Sequence, residues 1–136
     1  MPDQVFFRGQ SATVQMRNTW GVRYPDGMLT LAGLVDTSGY STGVQQKYQL
    51  SLITEVPLRM GGAAGQVLPA GAYGAGFVEG HHFLVMDLGA HELLRVPSQE
   101  DTAMARPRPL EIVAGAEKGT YRLYDGRSFV TFKRER

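Results

Sequence analysis

The chain is expected to be all-β and antiparallel, a single domain over residues 1–136 with about ten strands. Three observations predict this. Apolar and polar side chains alternate with period two through much of the sequence. Glycine and proline fall between the alternating runs. No long window gathers Ala, Leu, Glu and Lys in the density a helix needs. Successive side chains on a strand point to opposite faces, so alternation means one buried face and one wet face, the habit of antiparallel sheets.

In residues 11–17, Ala12, Val14 and Met16 alternate with Ser11, Thr13, Gln15 and Arg17, and Trp20, Val22 and Tyr24 then alternate with Gly21 and Arg23. Pro25-Asp26-Gly27 follows as a turn, with glycine supplying the positive φ of a tight hairpin. The clearest run is 44–55, expected as one unbroken strand. Val44, Tyr48, Leu50 and Leu52 share one face, and Gln45, Lys47, Gln49, Ser51 and Glu55 the other. "RMGGAAG" (59–65) lacks the Gly-Lys-Ser/Thr ending of a phosphate loop and reads as a connection.

In residues 71–78, Tyr73, Ala75 and Phe77 occupy one face, while Gly74 and Gly76 leave the other almost bare. Such a surface marks a sharp bend or the close approach of another group, either an overlying ring or a ligand. Gly80-His81 and Gly89-Ala90 are expected as tight turns, and Asp125-Gly126 is the strongest hairpin signal. Tyr73 and Phe83 correspond to Tyr121 and Phe129, with two fewer residues in the second hairpin, which convergent hairpin grammar explains better than an internal repeat. "VPSQEDTAMARPRPL" departs from the pattern. Ser98 with Asp101 resembles a capping box, so at most one short helical turn is expected near 99–105, before extended Arg106-Pro107-Arg108-Pro109. The long 44–55 run and the glycine-rich strand favour a barrel-like wall, with a sandwich as the alternative.

Composition excludes several function classes. Fourteen basic against 13 acidic residues leave a net charge of +1, with no field to draw in nucleic acid or an anionic membrane. The absence of cysteine removes disulfides, zinc–thiolate sites and thiol nucleophiles. No apolar run approaches the roughly 18 residues of a membrane span. Met1-Pro2-Asp3 shows no basic or apolar leader, so no signal peptide is expected, and an exported mature domain with its signal removed would read the same way. The compartment stays open.

Asp36, in Val35-Asp36-Thr37-Ser38-Gly39, invites comparison with the Asp-Thr/Ser-Gly loop of aspartic proteases. Ser38 intervenes before the glycine, and a strand ending in an Asx-type turn is the better reading. His81, His82 and His91 stand near Glu79, Asp87 and Glu92. With turns at Gly80-His81 and Gly89-Ala90, Glu79 would oppose His82, Leu88 would oppose His91, and Asp87 would oppose Glu92. His82 and His91 would then sit at opposite ends of one strand, too far apart to share an ion. No catalytic or metal residue is assigned, and no cofactor is expected.

The leading functional expectation is a non-enzymatic binding domain. Its apolar pocket or groove would be lined by Trp20, Tyr48, Leu50, Tyr73 and Phe77 and would take a small hydrophobic ligand, oriented by tyrosine hydroxyls. The alternative is a self-associating structural or interaction protein, a homo-oligomer that uses the 97–109 connection as an arm. A hydrolase acting through Asp36 or the Asp87/Glu92 pair stands third.

Overall fold

The computed structural model describes residues 4–7, 10–37, 40–62 and 64–135, with side chains from Thr19 onward. The strands in chain order are β1 (Gln4–Phe7), β2 (Gln10–Arg23), β3 (Leu29–Asp36), β4 (Leu50–Thr54), β5 (Leu58–Met60), β6 (Gln66–Leu68) and β7 (Gly71–Val78). Then follow β8 (His82–Met86), β9 (Glu92–Pro97), β10 (Gln99–Glu100), β11 (Glu111–Ala114), β12 (Thr120–Asp125) and β13 (Ser128–Arg134). The surplus over the expected ten comes from pieces as short as β5, β6 and β10.

Two antiparallel sheets form. The first runs β1-β2-β3-β4-β7-β8-β9, and the second β11-β12-β13-β5-β6, with β10 added beside β13. The fold is therefore all-β and antiparallel with the sheets stacked as in a sandwich, and among the described residues they do not close into a barrel. The reason is local. Residues 50–78 make one long hairpin in which β4 pairs with β7 and β5 pairs with β6. Its two legs bend at 55–57 and 69–70, so its base lies in the first sheet and its tip in the second. Pro57 and Pro69, which have no N–H to donate, stand at the two bends. The Thr54 hydroxyl serves the backbone exposed by the first bend, accepting from Val56 N at 3.2 Å and donating to Val56 O at 2.7 Å.

The core fills the space between the sheets. Leu50, Leu52, Phe83 and Val85 meet Leu58, Leu123, Val130 and Phe132 there. The Trp20/Val22/Tyr24 alternation is carried through, with Val22 and Tyr24 buried and Trp20 packed against the core's margin. Which of Ala12, Val14 and Met16 face inward lies outside the described side chains. Pro25-Asp26-Gly27 forms its turn, Tyr24 N donating to Met28 O at 2.8 Å with Gly27 at φ 88°.

The single strand expected over 44–55 is not formed. Residues Thr42–Gln45 make a short helical turn, α1, with the Ser41 hydroxyl accepting from Val44 N at 3.4 Å, and extended structure resumes only at Leu50. The 40–48 segment crosses the outer face of the first sheet, where Tyr40 and Tyr48 pack with Val35, Leu84 and Met86 in a second apolar cluster. Tyr48 and Leu50 thus belong to different clusters on opposite faces of the sheet. Ser51, expected on the wet face, is buried in a row of small residues with Gly33 and Gly74 as its neighbours across the sheet.

Of the at most one helical turn expected near 99–105, a single hydrogen-bonded turn remains, Met104 N donating to Asp101 O at 3.3 Å. Gln99 and Glu100 pair with Phe129 and Ser128, and the free edge of β13 outcompetes a marginal local helix. No helix among the described residues is long and apolar enough to cross a membrane.

Candidate functional site

The five residues expected to line an apolar pocket do not meet around one space. Leu50 is fully buried in the main core, and Tyr73 is packed there with its hydroxyl donating to Pro69 O at 2.6 Å. Tyr48 lies in the outer cluster, edge-on to Tyr40 at 5.8 Å. Trp20 is half-buried beside Ala32, with the Arg108 guanidinium 6.0 Å from its ring. Phe77 sits 5.0 Å from Phe83 and borders a surface groove with Lys47, Gln49, Glu79 and Arg95.

The bare face left by Gly76 is covered by the chain itself. A Cβ there would run into the Lys47 carbonyl, and the Gln49 carboxamide pairs in both directions with the Phe77 backbone, at 2.8 and 2.9 Å. The carboxamide acts as a surrogate peptide where the 46–49 segment leaves the sheet.

The acids and histidines take other partners than their expected ones. Asp36 is exposed at the end of β3, and Tyr40 N donates to Thr37 O at 2.9 Å in the turn that follows; Ser38 and Gly39 lie outside the described residues. The β7–β8 loop holds three residues, with Val78 opposite His82, so Glu79 does not face His82. Gly80 and His81 both take positive φ, 81° and 57°. At the next hairpin a bulge places Met86 opposite Glu92. Asp87 instead folds onto its own loop, its Oδ1 accepting from Gly89 N and His91 N, both at 2.9 Å. Leu88, expected opposite His91, lies within that loop. These backbone donors hold the Asp87 carboxyl below its ordinary range, and Arg95, 3.0 Å away, does the same for Glu92. A proton-donating carboxyl needs the opposite displacement. No group of three potential metal ligands gathers among the described residues.

The residues with unspent binding chemistry lie on the outer face of the second sheet. Because Leu123, Val130 and Phe132 point into the core, their neighbours point out, and the register sorts these into rows. Tyr124 lies opposite Phe129, with Gln99 beyond it. Arg122 lies opposite Thr131, and Thr120 opposite Lys133, with Arg59 beyond. All of these but Tyr124, together with the 115–117 loop, bound a groove of about 280 Å³. The Phe129 ring forms its floor, tilted against Tyr124 at 5.0 Å and carrying the Arg122 guanidinium 4.4 Å from its centroid.

No family model, curated protein or solved structure matches this chain. The groove is read from its own geometry.

Its framework is fixed from two sides. Arg122 Nη1 donates to the Tyr124 hydroxyl at 3.1 Å, and that hydroxyl donates to Asp101 Oδ2 at 3.0 Å. Asp101 is itself placed by β10 and by its N–H to Arg127 O at 2.8 Å. On the opposite wall Arg59 grips both Glu135 oxygens, at 2.9 and 3.0 Å, which lowers the Glu135 carboxyl. The 97–109 connection, expected as a free arm, thus lies against its own sheet. The signal for this face was present in "YRLYDGRSFVTFK", where Tyr124 and Phe129 alternate out of phase with Leu123 and Val130 and put aromatic rings on the outward face.

Proposed function

We propose that the chain is a non-enzymatic binding domain whose small ligand lies in the groove over Phe129. The observation that carries this is a concave surface of about 280 Å³ whose aromatic floor is immobilised by its neighbours before any ligand arrives. A pre-formed site spends little of its binding free energy on ordering itself. The threonine pair Thr120 and Thr131 adds hydroxyls and methyl groups on either side of the floor.

The neutral fluorophore N-phenyl-1-naphthylamine tests the reading, because its emission rises on entering an apolar groove. Thr131→Trp fills the space above Phe129 and is expected to abolish binding, whereas Phe77→Ala, in the other groove, is expected to leave it unchanged. The reverse pattern would overturn the assignment.

A further inference from the structure

We propose that the groove selects anionic ligands, carboxylates or phosphate esters carrying an apolar body, with the charged head held by Arg122 and Lys133. This rests on the groove being the binding site. Four arginines are matched to carboxylates: Arg59 to Glu135, Arg95 to Glu92, Arg108 to Glu111 and Arg134 to Asp26, at 2.9, 3.0, 3.3 and 2.8 Å. Arg122 is not. Among the described residues no carboxylate comes within ion-pair distance of it, and its one hydrogen-bond acceptor is a neutral phenol. Phe129 beneath and Tyr124 beside it fix the plane of the guanidinium, leaving further N–H donors for an incoming group. A half-buried cation without a counter-ion has only the Tyr124 hydroxyl and the Phe129 ring in place of lost hydration, and a ligand anion supplies a charged partner.

Lys133 stands where it can join. It is diagonal to Arg122 across the β12–β13 ladder, a spacing of roughly 7–8 Å that two long side chains span easily. Glu135, the nearest carboxylate along its strand, has both oxygens on Arg59. Thr131 lies between the two cations, and Glu117 stands at the rim. A planar carboxylate or a phosphate fits this pair equally in charge.

The test compares 1-anilinonaphthalene-8-sulfonate with N-phenyl-1-naphthylamine, which share one aromatic body and differ by a sulfonate. Wild type is expected to bind the sulfonate about tenfold more tightly or better, the return on one charge-assisted contact. Arg122→Gln and Lys133→Gln should each shrink that preference, the loss falling more heavily on the anion than on the neutral probe, and raised salt should act only on the anion. Lys133 is exposed, so its variant carries the test if Arg122→Gln melts early. Competition by octanoate and by octyl phosphate identifies the head group, and failure of both to displace the sulfonate counts against the proposal. A preference below twofold, or one surviving both substitutions, overturns it while Thr131→Trp still blocks the neutral probe. Neutral binding indifferent to Thr131→Trp removes the groove itself.

Discussion

Gly76→Ala probes how closely residues 46–49 lie against β7. Gly76 is not among the positive-φ residues, so alanine is acceptable to the backbone and any effect is steric. The added Cβ would meet the Lys47 carbonyl oxygen and carbon, with Gln49 Cδ at 3.1 Å. A main-chain carbonyl cannot swing aside as a flexible side chain can, so the strap must lift. Lifting breaks the two Gln49–Phe77 bonds, at 2.8 and 2.9 Å, and strains the Gln49 N–Ala75 O bond at 2.9 Å. At about 1 kcal/mol net for each bond the loss is about 2–3 kcal/mol, and overpacking strain gives the same range independently. For a domain of this size that lowers Tm by roughly 6–12 °C. Urea unfolding and calorimetry measure it, and hydrogen exchange at the Phe77 amide should quicken. Gly43→Ala is the control, because an added Cβ there meets nothing within 4 Å and lies in α1. It should be neutral or slightly stabilising. Gln49→Ala should be strongly non-additive with Gly76→Ala, since both remove the same contacts. A Gly76→Ala protein within about 0.5 kcal/mol of wild type would refute the close approach.

Two further outcomes follow from buried polar groups. Thr30, fully buried, links the Tyr24 hydroxyl at 2.8 Å to the Thr54 hydroxyl at 2.9 Å, so Thr30→Val should cost about 1–3 kcal/mol in urea unfolding, and Thr30→Ser much less. Burial raises the Asp125 carboxyl, so the folded state holds its proton more tightly than the unfolded chain, and the ionised group opposes folding at neutral pH. That penalty fades as pH falls through the raised folded value and is gone below the unfolded one. Asp125→Asn should therefore raise Tm at pH 7, with the gain closing below about pH 4 in a melting series.

Fold class was legible because it depends on local pattern. The Trp20/Val22/Tyr24 alternation, the Pro25-Asp26-Gly27 turn and the β12–β13 hairpin each follow from a few neighbouring residues. What failed were features decided by distant partners. The 44–55 run alternates as well as any strand, yet Ser41 caps a helical turn inside it, and Gly76 of β7 opens a surface for the displaced segment. Tyr48 is buried as its pattern demanded, but against Leu84 and Met86 on the far side of the sheet. Alternation tells that a side chain is covered. It does not tell which layer covers it.

Sites on sheets are harder still, because one residue of register exchanges every neighbour. A three-residue loop in place of two gives His82 the partner Val78 instead of Glu79, and a single bulge separates Asp87 from Glu92. Both expected clusters were consequences of turn length, the quantity least constrained by the residues within the turn. The groove over Phe129 has the reverse dependence. Its members Arg122, Phe129, Thr131 and Lys133 come from one hairpin whose register is set locally, while Arg59, Gln99 and the anchoring Asp101 arrive from remote segments. Removing that remote contact tests the ordering. Asp101→Asn keeps an acceptor for Tyr124, whereas Asp101→Ala leaves the phenol and then Arg122 unanchored. If the groove is pre-formed by the hairpin, Asp101→Ala should weaken anion binding by loosening Arg122 while the neutral probe still binds.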